Sequence, residues 1–235
     1  MTSLLEIYYY CVRKHYQSPL LLSYFLIISD ESKNQIIPAI KRALYFYRSY
    51  YNKGRQDGTV DVNYTIWQTQ AFSRLFFILL QEQRKQKYNE DDNDKILIMD
   101  SASYCLDMCN DIIRSTSWRM LSRGKSFYPN LSTIEIACGL DALAQGARVA
   151  YYYYHELKEE KMYDDFKLII RNIENAIDFL QWSQDRITNE SQVGFGGLGF
   201  GGIYVTEQRL DITGHALSAI YKLLNSQEEE IFSDL

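Results

Sequence analysis

GFGGLGFGGIYVTEQRLDITGHALS, residues 194–218, is the stretch on which the reading of this chain turns. Six of the chain's twelve glycines fall between Gly194 and Gly202, and a helix signal opens soon after them. Gly194, Gly196 and Gly199 spell a formal GxGxxG. A dinucleotide fingerprint of that form follows a strand and opens directly into a helix. Here an apolar helical stripe precedes it, and Gly201 to Gln208 intervene, so the stretch reads as a turn between two helices. Glycine permits left-handed backbone there and lets Phe195, Leu198 and Phe200 fold onto the helix ends or cover a cleft. Asp211 is a favoured N-cap whose charge suits the positive end of a helix. His215 follows four residues later on the same side, either as a partly buried histidine bonded to a backbone carbonyl or where a carboxylate orients the imidazole as a base or metal ligand.

Working back from this stretch, the chain repeats one plan three times. Phe166, Ile169, Ile170, Ile173, Ile177 and Leu180 make an apolar stripe at 3-4 spacing that predicts a helix before the glycine turn. Ile96, Met99, Ser103, Leu106, Asn110 and Ile113 predict another, followed by a loop over 121–131 and a helix over 132–158. Ser132 with Glu135 is a capping-box pattern. The first pair is a helix over 34–52, ending at NKGRQDG (52–58), and a helix over 64–87 carrying Trp67, Ala71, Leu75, Ile78 and Leu79. Each second helix opens on an Asx or Ser/Thr turn, near Asn63–Thr65, Asn130–Thr133 and Asp211–Thr213. Those threonines stand 68 and 80 residues apart, twice or more the period of about 34 of a tetratricopeptide solenoid. No stretch shows sustained period-2 alternation. The reading is therefore all-α: a single domain over 1–235 with an irregular helical pair over 1–32 and antiparallel hairpins over 33–88, 95–158 and 164–226.

In antiparallel hairpins the three long, glycine-bearing loops (52–62, 121–131 and 185–210) emerge at one end. The positive N-termini of the second helices emerge there too, and long loops on a rigid scaffold are where function concentrates. Tyr64, Trp67 and Gln68 open the first of those helices and suit a cleft that stacks on and hydrogen-bonds to a polar ligand. Glu135 opens the second. Paired with Asp211, it makes a two-carboxylate arrangement of the kind sugar chemistry uses, although the capping box is the better account of it. Asp141, further along, reads as solvated.

Composition bounds the rest. The formal net charge of −5 argues against a nucleic-acid groove, which needs clustered Lys and Arg. Twenty tyrosines suit half-buried helix faces and ligand clefts alike. Cys11, Cys105, Cys109 and Cys138 form no CxxC pair, so free thiols in a reducing, cytoplasmic compartment are expected, with no metal and no cofactor. Pro19 to Ser29, the longest clean apolar run, is too short to span a bilayer, and no signal-peptide cleavage pattern follows it.

AIDFLQWSQ (176–184), GFGGLGFGG (194–202) and RLDITGHALSAIYKLL (209–224) together resemble one repeat of the α/α toroids. Terpenoid cyclases, protein prenyltransferase β subunits and six-hairpin carbohydrate enzymes share that outline. The resemblance covers residues 166–224. It implies an α/α toroid, here incomplete with about seven or eight helices. The DxDD motif and the Asp/Cys/His zinc set of those families have no counterpart, so the resemblance brings no chemistry with it.

The expectation is a domain that binds or processes a carbohydrate or similar small polar molecule at its loop-rich end. Asp211, His215 and Glu135 are its candidate catalytic residues; Trp67, Gln68, Tyr64, Phe195, Phe200 and Arg209 are its ligand contacts. Whether it is an enzyme stays open. One alternative is a non-catalytic scaffold that binds a protein or forms a homodimer through 3–29, and another is an isoprenoid-type apolar pocket.

Overall fold

The computed structural model describes residues 30–85, 92–156, 160–185 and 210–224. The described residues form seven α-helices and one 3-10 turn, with no strand among them. The helices are α1 (Asp30–Asp57), α2 (Val62–Lys85), α3 (Asp92–Arg114), α4 (Thr116–Leu121), α5 (Thr133–Glu156), α6 (Glu160–Asp185) and α7 (Leu210–Leu224). The 3-10 turn, Tyr128–Asn130, precedes α5. The chain divides into two compact units, the first ending at Met108 and the second beginning at Cys109, a boundary inside α3. The N-terminal helical pair expected before residue 30 and the glycine-rich turn lie outside the described residues.

In the first unit, α1 outruns its expected end at Asn52 and continues to Asp57. What stops it is backbone geometry. Gly58 sits at φ +67°, its N–H donates to the Arg55 carbonyl at 3.4 Å, and the Thr59 N–H donates to the Gly54 carbonyl at 2.8 Å. This is a Schellman cap, in which a left-handed residue lets the last carbonyls be satisfied. Asp61 then starts α2, two residues before the expected Asx turn at Asn63. Its Oδ1 accepts from the Asn63 N–H at 2.8 Å, and its carbonyl accepts from the Thr65 N–H at 3.0 Å. Cap and restart take only a few residues, which makes α1 and α2 a tight hairpin.

Polar pairs tie α1 to α3. Arg48 meets Asp100 at 2.6 Å, Asn52 donates to the Tyr104 hydroxyl at 3.0 Å, and Arg55 meets Asp107 at 3.5 Å. Both series of positions rise together, so these helices run parallel. Tyr47, Tyr51, Phe72, Phe76 and Cys105 are buried between the helices of this unit. The expected stripe of α3 holds at Leu106, which is buried, and is displaced by about one position in the first turns. Ile96 and Met99 are exposed, whereas Leu97, Ile98, Ser101, Ala102, Cys105, Met108, Cys109 and Ile112 are buried. The run Ile96-Leu97-Ile98-Met99 puts apolar residues on adjacent faces of the first turns, so spacing there fits two faces and packing selects one.

In the second unit, α5 packs against both α6 and α7. From Ile136 to Ala150 it is buried nearly all round. Small residues allow that approach. A Cβ at Gly139 would stand 2.7 Å from the Trp118 ring, and one at Gly146 would overlap Cys109 Sγ. The expected loop over 121–131 holds more structure than its sequence announces. α4 precedes it and buries Trp118 completely, and the 3-10 turn places Tyr128 edge-on to Phe179 (5.2 Å) and Trp182 (5.3 Å) of α6. The stripe of α6 is as expected in its centre, with Ile169, Ile173 and Leu180 buried.

Candidate functional site

In the first unit, the Schellman cap and the Asp61 start of α2 leave a cleft of about 190 Å³. Its lining includes Tyr50, Tyr51 and Tyr64, the carboxylates of Asp57 and Asp61, and Lys53 and Thr59. The Tyr50 and Tyr64 rings stand 5.1 Å apart at 58°, one exposed and the other buried. Tyr64 donates from its hydroxyl to the Tyr47 carbonyl at 3.5 Å. Burial, reinforced by the neighbouring phenols of Tyr47 and Tyr50, pushes its pKa far above the ordinary value, so it stays neutral. The Arg55 guanidinium lies 5.6 Å from the Tyr51 ring centre, already using that ring as a cation-binding surface. The cleft thus offers aromatic rings, two carboxylates and one ammonium around open space.

In the second unit, three side chains of α7 converge on one carboxylate of α5. Asp141, with 4% of its side chain exposed, accepts at Oδ2 from His215 Nδ1 (3.3 Å). Its Oδ1 accepts from Ser218 Oγ (3.2 Å) and Lys222 Nζ (2.5 Å). His215, Ser218 and Lys222 are spaced i, i+3 and i+7, one face of a helix. The Asp141 hydrogen bond, helped by a hydrogen bond with Cys138 and opposed by burial, lifts His215 to about 10. The ring therefore carries its proton at neutral pH and works as a donor; a role as base requires the Asp141 contact to open. Burial alone would raise the Asp141 carboxyl, but the His215 hydrogen bond and the Lys222 ammonium outweigh it and hold the pKa below its ordinary value. A buried carboxylate with two cationic partners is locked in charge and position.

The expected site residues divide accordingly. Tyr64 lines the cleft of the first unit, and Trp67 and Gln68 do not. Gln68 is fully buried, and neither amide atom has a hydrogen-bond partner among the described residues. In the second unit, the Glu135 carboxylate accepts from Ser117 Oγ at 2.8 Å, and its N–H donates to Ser132 Oγ at 3.5 Å. Half of the capping box forms, while the glutamate side chain turns to the start of α4. His215 is paired with Asp141, which is buried and not solvated as its sequence position suggested. The Asp211 side chain, Phe195, Phe200 and Arg209 lie outside the described residues.

Sequence reasoning missed Asp141, Ser218 and Lys222, as well as Tyr50, Asp57 and Asp61. A signal existed for the first group. Asp141 interrupts the apolar IACGLDALAQGA run, where a charge needs buried partners, and α7 carries a polar stripe at helical spacing. For the second group the signal is weaker, because turn residues such as QDGTVD are polar whether or not they border a cleft. No helix among the described residues is long and apolar enough to cross a membrane. No group of three or more His, Cys, Asp or Glu among them could hold a metal ion. Compared with known protein families, curated proteins and solved structures, the chain matches none.

Proposed function

We propose that this chain is a helical-hairpin domain that binds a small polar molecule in the cleft at the α1–α2 turn. One observation carries the reading: three tyrosines, two aspartates and a lysine border a space of about 190 Å³. Drug-sized ligand pockets run from about 300 Å³, so the occupant is smaller than that. Ionisable groups in the lining favour a polar ligand over an isoprenoid chain. A carbohydrate is one such ligand, its C–H face on a tyrosine and its hydroxyls on the carboxylates. Within the first unit α1 and α3 run parallel, as the first helices of successive hairpins do.

Ligand-observed NMR with a panel of sugars, polyols and small amines tests the binding. Saturable binding that Tyr50→Ala weakens is the expected result. Binding untouched by Tyr50→Ala, or no binding in the panel, would sink the reading. Tyr50 suits the test because it is exposed, so truncation spares the core.

A second reading, a scaffold that joins a partner or another copy, rests on α7. There Leu217, Ile220 and Tyr221 present an exposed apolar patch with 61%, 37% and 62% of their surface open. Light scattering tests it: a strictly monomeric chain whose state is unchanged by Leu217→Lys would count against it.

A further inference from the structure

We infer that the α1–α2 cleft selects an organic ammonium group, such as that of a quaternary or alkylated amine, over a neutral polyol. This rests on the proposal that the cleft binds a small polar ligand and names the chemical class. The argument is one of charge and ring placement. Two carboxylates, Asp57 and Asp61, face one ammonium, Lys53, so the lining carries one uncompensated negative charge. No ion pair joins Lys53 to Asp57 among the described residues, although they stand at i, i+4 on α1. Asp61 commits one oxygen, Oδ1, to capping α2. Its other oxygen has no hydrogen-bond or ion-pair partner among the described residues.

The rings supply the second half. Tyr50 presents an exposed ring beside those carboxylates, and the buried Tyr64 ring backs it at 58°. An aromatic face attracts a cation through its quadrupole, and a cage of rings with nearby acids is how quaternary ammonium groups are commonly held. Arg55 on the Tyr51 ring shows that a cation is already accommodated on this side of the hairpin. A neutral sugar would gain from the ring faces but would leave the unbalanced carboxylate without a counter-charge. An ammonium uses both. The net charge of −5 adds a weak general attraction for cations.

The test uses the full chain and three probes: choline, its uncharged carbon isostere 3,3-dimethylbutan-1-ol, and glucose. NMR titration should show choline binding at least about 5-fold tighter than the isostere, the factor expected for a partly desolvated cation–π contact. Asp57→Asn with Asp61→Asn should weaken choline by about 10-fold and the isostere by clearly less, since only choline loses a counter-charge. Asparagine still caps a helix, so the hairpin survives the change. Lys53→Gln should tighten choline about 3-fold by removing a like charge. Equal binding of choline and isostere, or glucose binding that ignores the charge variants, overturns the ammonium inference and leaves the polar-ligand reading standing. Failure of all three probes to bind overturns both.

Discussion

The turn between α1 and α2 and the contact between α5 and α7 both gather charged side chains, and they use them in opposite ways. At the turn, Asp57, Asp61 and Lys53 border open space with little to neutralise them. At the contact, Asp141 is enclosed, and a histidine, a serine and a lysine satisfy it. Charges that are buried and paired lock a structure, and removing one partner strands the other. Charges left at the rim of a cleft cost the fold little and remain available to a ligand. The same residue types thus mark stability in one place and, on the proposed function, recognition in the other, and burial is what separates them.

The largest effect should come from the closed cluster. Asp141→Ala strands Lys222 and His215, and urea unfolding should show a loss of about 3–5 kcal/mol. Asp61→Ala should cost only about 1 kcal/mol, the worth of a helix cap. Equal losses from the two substitutions would erase the contrast. Next in size, Gly146→Ala should destabilise by about 1–3 kcal/mol through overpacking against Cys109, whereas Gly54→Ala meets only Val60 at 3.4 Å and should stay near the helix-propensity effect.

The pH dependence sharpens the same comparison. The folded-state pKa of His215 is raised from 6.5 to about 10, so its contact stabilises fully below pH 6.5. That stabilisation drains away as pH rises toward 10. Wild type should therefore lose more stability between pH 7 and 10 than His215→Gln, which removes this titration. Parallel loss in both proteins would mean that the ring titrates normally. On the acid side, the lowered Asp141 pKa gives stability that is present above the ordinary carboxyl range and is lost as pH falls through the lower folded value.

The smallest effect concerns Gln68, a buried polar group outside both arrangements. Its amide is buried with no hydrogen-bond partner among the described residues, so Gln68→Met should be neutral or should stabilise by up to about 1 kcal/mol. A loss above about 2 kcal/mol in urea unfolding would show that the amide is satisfied after all.

The sequence by itself determined the helical class and most helix positions, because apolar spacing of three and four and the cap at Ser132 are local properties, although the last helix opens at Leu210, one residue before the expected N-cap Asp211. It also pointed to Tyr64, and to His215 as a histidine needing a carboxylate. It could not choose the carboxylate. Asp211 is near His215 in sequence, while Asp141 is 74 residues away and reaches it only because α5 and α7 pack together. Nor did it choose the face at the start of α3, where the apolar run 96–99 fits two registers. The cleft likewise needed three dimensions, since it arises where the left-handed Gly58 turns the chain and brings Tyr64 back beside Tyr50. Periodicity and capping act within a few residues; burial and pairing depend on which helices meet, and that is where the two groups of charges acquired their different meanings.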